Sequence, residues 1–209
     1  MPRRSASSQE WLRERRRDPY VQAAARDGYR SRAAYKLLEI QASMRPPLIG
    51  PGMGVVDLGA APGGWTQVVA PLVGKAGRVV AVDLLPMAPV AATVTVMQGD
   101  FLDQDTLERI VTLLDGGADL VLSDLAPNMS GIAVADQARG ELLAENACQF
   151  AARVLRPGGS LVVKLFQGPG FHTLVREAKT GFGRTKVVKP KASRGRSPEQ
   201  YLVCQAFKG

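Results

Sequence analysis

The sequence predicts an α/β fold: a doubly wound domain with a mostly parallel seven-stranded sheet, preceded by helices. The first observation is that seven apolar runs rich in Val, Leu and Ile recur after residue 53, with stretches of helical periodicity between most of them. The second is that most runs are apolar almost throughout, which is typical of parallel strands covered by helices on both faces. The third is a glycine-rich turn directly after the first run, where such domains bind ligands.

The N-terminal region is predicted to form two short amphipathic helices. They cover residues 11–29 and 31–44. Gly28 separates them, and the second is expected to be capped near Ser31.

A loop separates these helices from the sheet. Residues 45–53, RPPLIGPGM, contain too much Pro and Gly for a helix or a strand. We therefore divide the chain into a basic helical extension, residues 1–50, and an α/β domain, residues 51–209. The two parts are expected to form one compact unit.

Strands and helices then alternate along the domain. The predicted strands lie within the runs GVVDLG (54–59), RVVAVDLL (78–85), TVTVMQGD (93–100), DLVLSDLAP (119–127), SLVVKLFQG (160–168), TKVVKP (185–190) and EQYLVCQAFKG (199–209). The predicted helices are TQVVAPLVG (66–74), DQDTLERIVTLLD (103–115), VADQARGELLAENACQFAARVL (134–155) and FHTLVREAKTG (171–181).

The charge distribution indicates a polyanionic partner. The net charge is +8 and the pI is near 9.9. Residues 1–36 and 184–209 each carry +6, whereas residues 37–183 carry −4. Basic arms on a mildly acidic body favour nucleic-acid binding, because neutralising phosphates releases counterions. A solvated charged helix face is the alternative explanation.

Composition indicates a cytoplasmic protein. The sequence has no run of eighteen apolar residues, and its first residues lack the apolar middle of a secretory signal. Cys148 and Cys204 lie far apart in apolar stretches and form no disulfide or metal pattern. We expect a reduced setting, no membrane, no metal and a monomer.

The turn DLGAAPGGW, residues 57–65, is predicted to approach a ligand closely. Glycines let the backbone come near a ligand and present free N–H groups. The glycines are Gly59, Gly63 and Gly64, and Ala61 occupies the position of the second glycine in the dinucleotide fingerprint. The spacing therefore disfavours a dinucleotide.

Two carboxylates beyond this turn suggest which ligand binds. Asp83 follows the second strand, where an acidic residue accepts the two hydroxyls of a ribose, and Asp100 follows the third, where it could accept from an adenine amino group. Adenosine without phosphates but with an attached amino acid is S-adenosylmethionine. Trp65 either packs between helix and sheet or contacts this cofactor.

Several motifs resemble those of the FtsJ/RrmJ family of heat-shock ribosomal RNA 2′-O-methyltransferases. They are DLGAAPGGW, DLLPM, SDLAPNMSG, VVKLFQG and SRGRSPEQYLV, and the likeness runs from residue 4 to the C-terminus. The resemblance implies a Rossmann-like S-adenosylmethionine-dependent methyltransferase fold whose last strand is antiparallel. It also implies methylation of one uridine of large-subunit ribosomal RNA within the ribosomal particle.

Charged residues at strand ends are the candidate catalytic groups. Asp124 ends the fourth predicted strand and Lys164 the fifth, so both belong to the carboxyl edge of the sheet, where ligands bind. An antiparallel last strand would place Glu199 at the same edge, and Lys36 would come from the preceding helices.

The family's Lys-Asp-Lys-Glu tetrad corresponds to these four residues. The resemblance implies that Lys36, Asp124, Lys164 and Glu199 activate a ribose hydroxyl. Lys164 is the expected proton acceptor and Asp124, which is also a candidate cofactor contact, orients it. Glu199 positions Lys36 or the ribose.

Other methyl acceptors fit less well. Base-amine methyltransferases carry an Asn/Asp-Pro-Pro-aromatic turn after the fourth strand, whereas residues 124–128 read DLAPN. Methylation of cytosine at C5 needs a cysteine near that strand end, and Cys148 and Cys204 are interpreted as core residues. His172, the only histidine, is interpreted as structural.

The basic arms are the candidate RNA-binding surface. Few aromatic residues accompany them, so recognition of RNA shape is expected to outweigh base stacking. A transfer-RNA 2′-O-methyltransferase and a non-catalytic ribosome-assembly factor remain alternatives, and a dinucleotide-dependent oxidoreductase is a weaker one. The expected phosphate contacts are Arg30, Arg32, Lys189, Lys191, Arg194 and Arg196.

Overall fold

The computed structural model describes residues 17–128, 130–195 and 197–209, and it confirms the predicted α/β fold. The seven strands form one sheet in the order β3-β2-β1-β4-β5-β7-β6. β1 to β5 run parallel, and β7 is antiparallel to both β5 and β6. The strands are β1 Gly54–Leu58, β2 Arg78–Asp83, β3 Val94–Gln98, β4 Ala118–Ser123, β5 Leu155–Phe166, β6 Phe182–Val188 and β7 Glu199–Phe207.

Six helices in the described part of the chain accompany the sheet. No described helix is both long and apolar enough to cross a membrane. The helices are α1 Pro19–Arg26, α2 Ala33–Ala42, α3 Gly64–Val73, α4 Gln104–Leu113, α5 Ala133–Val154 and α6 Phe171–Gly181.

The first predicted helix is wrong where the structure describes it, because it is interrupted at Asp18 and ends at Arg26 rather than residue 29. Its start, residues 11–16, lies outside the described residues. Asp18 caps α1 through its side chain, which accepts from the backbone N–H of Tyr20, and Pro19 occupies the first turn. Both features mark a helix start, so a new helix begins at Pro19 and ends at Arg26.

The predicted cap of α2 is also wrong in detail. The helix begins at Ala33, its N-cap is Arg32, and no side chain caps it. Ser31 instead packs against the glycine turn: a Cβ built on Gly64 would overlap the Ser31 hydroxyl.

Apolar side chains cover both faces of the sheet. On one face α2 and α3 pack against strand residues such as Val55 and Leu122, and on the other α4, α5 and α6 pack against their neighbours Val56 and Val121. Leu37 of α2 is fully buried in the first cluster. Burying such a side chain contributes about 1.5–3 kcal/mol, so α2 is held firmly on the sheet.

The strand directions bring the carboxyl ends of β1 to β5 to the same edge of the sheet. The antiparallel β7 begins there, with Glu199 opposite Phe166 of β5. This edge carries the charged side chains described next.

Candidate active site

Four charged side chains form a connected cluster at this edge. Lys164 Nζ lies 2.7 Å from Asp124 Oδ1 and also donates to the Asp124 carbonyl oxygen at 2.8 Å. Lys36 Nζ lies 3.8 Å from Asp124 Oδ1 and 2.9 Å from Glu199 Oε1. The structure thus brings the four predicted tetrad residues together.

Each member of the tetrad comes from a different element. Asp124 directly follows β4, Lys164 lies near the end of β5, Glu199 begins β7 and Lys36 lies in α2. Lys36, Lys164 and Glu199 are buried. Burial raises the pKa of Asp124, but the charges of Lys164 and Lys36 outweigh it, so this pKa lies below its ordinary value.

Tyr201 is a fifth member that the sequence interpretation missed. Its hydroxyl donates to Asp124 Oδ1 at 2.5 Å and accepts from Lys36 Nζ at 3.0 Å. The side chain is fully buried, and burial first, then the charge of Asp124, raises its pKa well above 10. The available signal was its position two residues after Glu199, which places both side chains on the same face of β7.

The glycines of the turn are required by its own packing. Gly59 and Gly63 have φ values of +72° and +109°, which other residues rarely adopt. A Cβ on Gly59 would lie 2.6 Å from Leu125 Cδ2. The turn is therefore close-packed against the segment that carries Asp124.

Asp57, the carboxylate at the start of the turn, holds helix α3. Its Oδ2 accepts from Thr66 Oγ1 at 2.6 Å, and the Thr66 backbone N–H also donates to this carboxylate. The side chain is buried beneath the turn. Burial raises its pKa to about 7, although the Thr66 hydrogen bonds act in the opposite direction.

Asp57→Asn is expected to remove a pH dependence of stability. Because the folded pKa, about 7, exceeds the ordinary 3.8, the contribution of Asp57 is full below pH 3.8 and is lost as pH rises through 7. The difference between these two pKa values corresponds to about 4 kcal/mol of folding stability. Denaturant titrations at several pH values should show the variant gaining stability relative to wild type towards pH 8. A difference between the two proteins that does not change with pH would contradict this.

Asp83 connects the turn to the loop after β2. Its Oδ2 accepts from the Ala61 N–H at 2.9 Å and its Oδ1 from the Leu85 N–H at 2.8 Å. Asp100 accepts from the Leu102 N–H at 3.0 Å. Both carboxylates are half-buried, so they are accessible to a ligand.

Trp65 is a packing residue in this structure. Its indole N–H donates to the Ala33 carbonyl oxygen at 2.8 Å, and its ring lies 5.6 Å from the ring of Tyr201. It therefore joins α2, α3 and β7.

Arg30 connects the glycine turn to the loop between β2 and β3. Its guanidinium donates to the carbonyl oxygens of Pro62 (3.2 Å), Ala88 (2.7 Å) and Pro89 (2.6 Å). Its backbone N–H donates to Gln67 Oε1 at 2.7 Å. The side chain expected to contact phosphate is thus engaged by the protein.

The other expected RNA contacts lie near α1 and the segment before β7. Arg32 bonds to Asp18 and to the Ala192 carbonyl oxygen. Lys189 Nζ donates to the Ser197 carbonyl oxygen at 2.8 Å. The remaining three are Lys191, which is exposed, Arg194, which is half-buried, and Arg196, which lies outside the described residues.

Cys148, Cys204 and His172 are not members of the tetrad. Burial raises the pKa of the Cys148 thiol to about 12 and also raises that of Cys204. His172 lies in α6 with its ring against Phe171. Among the described residues, no group of three or more His, Cys, Asp or Glu side chains could hold a metal ion.

Comparison with known proteins finds a matching family model and similar proteins that share one name. The model of the FtsJ-like methyltransferase family matches residues 29–207. A Magnetococcus marinus protein named ribosomal RNA large subunit methyltransferase E is 54% identical over 215 residues, covering 100% of both chains. A protein of the same name from Pseudomonas aeruginosa is 51% identical over 207 residues, covering 99% of each chain.

A solved structure agrees with the fold. A Plasmodium falciparum protein described as a ribosomal RNA methyltransferase has a TM-score of 0.76 and 29% identity, covering 87% of this chain and 100% of that one. The sheet order, the edge cluster and these similarities define a methyltransferase. The chain belongs to the FtsJ-like methyltransferase family.

Proposed function

We propose that this enzyme transfers a methyl group from S-adenosylmethionine to the ribose 2′-hydroxyl of a uridine in large-subunit ribosomal RNA. The observation that carries the proposal is the cluster of Lys36, Asp124, Lys164 and Glu199 at the ligand-binding edge of the sheet. The names of the full-length relatives support the choice of RNA. The proposed setting is the cytoplasm, with the large ribosomal subunit as partner and a monomeric enzyme.

The residues at the edge fit S-adenosylmethionine. Asp83, the last residue of β2, and Asp100, which follows β3, are acceptors suited to ribose hydroxyls and an adenine amino group. The glycine turn lies beside Asp83 through the Ala61 hydrogen bond. When bound, the cofactor supplies an electrophilic methyl group on a sulfonium.

Lys164 is the proposed proton acceptor. Two acceptors on Asp124 fix its Nζ, at 2.7 Å and 2.8 Å. Besides its bond to Cε, Nζ has three sites for hydrogen bonds. Asp124 occupies two of them, so one remains for the ribose hydroxyl. The hydroxyl proton would pass to the neutral amine of Lys164, and the electron pair of the O–H bond would stay on the ribose oxygen. That oxygen would then take the methyl group that the bound cofactor supplies, and the sulfur would leave as a neutral thioether.

Lys36 and Glu199 are proposed to orient the ribose. Glu199 holds Lys36 Nζ at 2.9 Å, and Tyr201 accepts a second hydrogen bond from that nitrogen. The ammonium group is therefore fixed beside Asp124 and can stabilise negative charge that develops on the ribose oxygen.

Methyl incorporation tests the proposal against its alternatives. The protein is incubated with methyl-labelled S-adenosylmethionine and, separately, large ribosomal subunits, protein-free large-subunit RNA and transfer RNA. We expect label in a large-subunit substrate. Label in transfer RNA alone would select the transfer-RNA alternative, and RNA binding without incorporation would select a non-catalytic assembly factor.

Asp83→Ala is expected to weaken S-adenosylmethionine binding by about 1.5–3 kcal/mol, the scale of hydrogen bonds to a charged group. Calorimetry on the folded variant measures the loss. Unchanged affinity would remove Asp83 from the site, and tight NADH binding by wild type would contradict the cofactor assignment.

Arg30→Ala is expected to weaken cofactor binding about tenfold, because the loss of its hydrogen bonds frees both loops that flank the cofactor. The salt dependence of RNA binding should match that of Arg26→Ala, a control at an exposed arginine of α1. A phosphate contact would give the opposite pattern: unchanged cofactor affinity, and a slope of log affinity against log salt smaller by about 0.7–0.9.

A further inference from the structure

A basic pocket of about 470 Å³ lies between the start of α1 and the turn that precedes β7. Four of its lining side chains are cationic and one is anionic, so it attracts an anion. The charged lining residues are Arg17, Asp18, Arg32, Lys191 and Arg194.

Ser193 lines this pocket and carries a buried hydroxyl that has no partner among the described residues. The residue lines the pocket and is only 6% exposed. Its Oγ has no hydrogen-bond partner in the described part of the chain, whereas its backbone N–H donates to the Pro190 carbonyl oxygen at 3.0 Å. A buried hydroxyl without a partner costs about 1–3 kcal/mol, which an acceptor on a bound ligand would recover.

The wall that carries Ser193 is fixed in place by α2. Glu39 of α2 accepts from the N–H groups of Lys191 at 2.5 Å and Ala192 at 3.1 Å. Arg32 donates to the Ala192 carbonyl oxygen from the same side. These hydrogen bonds hold one wall of the pocket in position.

The positive charges in the pocket exceed the negative charge available to them. Asp18 pairs with Arg32 and lies 3.6 Å from Arg194 Nε. In the described residues, Arg17 and Lys191 have no carboxylate within ion-pair distance. Burial, then the charge of Arg194, lowers the pKa of Arg32, so a bound anion would relieve this repulsion.

The pocket adjoins the tetrad. Arg32 precedes Lys36 by four residues, which places both side chains on the same face of the α2 segment, one turn apart. The charges of Glu199 and Tyr201 also act on Arg32. An RNA strand with its ribose at Lys164 can therefore reach the pocket with a nearby phosphate.

We propose that this pocket binds one backbone phosphate of the RNA strand beside the methylated ribose. Ser193 Oγ donates a neutral hydrogen bond, and Lys191, Arg17 and Arg194 supply the charge. The proposal rests on the proposed function and adds Ser193 and Arg17 to the RNA surface.

The test measures binding of protein-free large-subunit RNA across a range of salt concentrations. Lys191→Ala should reduce the slope of log affinity against log salt by about 0.7–0.9, the value for one phosphate contact. Ser193→Ala should weaken binding two- to tenfold with the slope unchanged. Ser193→Asp should weaken binding more than tenfold while the melting temperature stays level or rises, because its carboxylate takes the place of the phosphate. Lys75→Ala, at an exposed lysine beyond the C-terminal end of α3, is the control.

Two outcomes separate this proposal from the proposed function. Wild-type methylation of large-subunit RNA, with Lys191→Ala and Ser193→Asp binding RNA as tightly as Lys75→Ala, would overturn the phosphate pocket alone. Absence of wild-type methylation would overturn the proposed function and the pocket with it. A lowered melting temperature in Ser193→Asp would show that the hydroxyl serves packing and would also overturn the pocket.

Discussion

Lys164→Ala is expected to lower the rate of methyl transfer by about 10²–10⁴-fold, the range for loss of a general acid–base residue. Cofactor and RNA affinities should stay near wild type, because Asp124 is the only polar partner of the Lys164 amine among the described residues. Single-turnover kinetics with saturating cofactor and RNA measure the effect. Lys186→Ala, an exposed lysine of β6, serves as the control and should keep the wild-type rate.

Lys164→Arg distinguishes proton acceptance from charge. Arginine keeps the positive charge and can still bond to Asp124, but it cannot accept a proton near neutral pH. If Lys164 is the base, Lys164→Arg should be nearly as inactive as Lys164→Ala. Substantial activity of Lys164→Arg would mean that Lys164 positions the hydroxyl instead.

Asp124→Asn is expected to lower both activity and stability. The substitution leaves Lys36 and Lys164 without the carboxylate that lies between them. Breaking a buried ion pair from one side costs about 3–5 kcal/mol, and we expect a rate loss of at least about 10²-fold because the base is no longer oriented. Denaturant titration and single-turnover kinetics measure the two effects.

The lowered pKa of Asp124 predicts how the stability loss of Asp124→Asn changes with pH. Because the folded pKa of Asp124 lies below 3.8, its stabilising contribution is present above that pH and is lost on acidification. The stability deficit of the variant should therefore shrink at acid pH. Asp119→Asn, at the opposite end of β4, is the matched control: its partner Arg156 is half-exposed, so a loss of about 1 kcal/mol and a wild-type rate are expected. A wild-type rate in Asp124→Asn would remove Asp124 from the reaction.

The sequence predicted the sheet well because its strands are continuous apolar runs. The predicted end of β4 lies within one residue of the observed one, and the run from residue 160 matches the second half of β5, which begins earlier, at Leu155. Parallel strands end at one edge, so the nearness of Asp124 and Lys164 followed from the pattern alone. The antiparallel direction of β7, which places Glu199 there, came from the family resemblance.

The missed features depend on contacts between distant parts of the chain. Arg30 reaches loops about 30 and 60 residues away, and Tyr201 meets Lys36 across 165 residues, so no local pattern could reveal either. The start of α1, by contrast, has a signal in the local sequence. Asp18 followed by Pro19 is a local helix-start signal, and the run of charged residues before it concealed the boundary.

The most direct test of the account is the chemical position of the transferred methyl group. Large-subunit RNA labelled by the enzyme is hydrolysed with alkali, which cleaves only next to a free 2′-hydroxyl. The account predicts label in an alkali-resistant dinucleotide that contains uridine, and none when Lys164→Ala is used. Label on a base, in alkali-released mononucleotides, would contradict it.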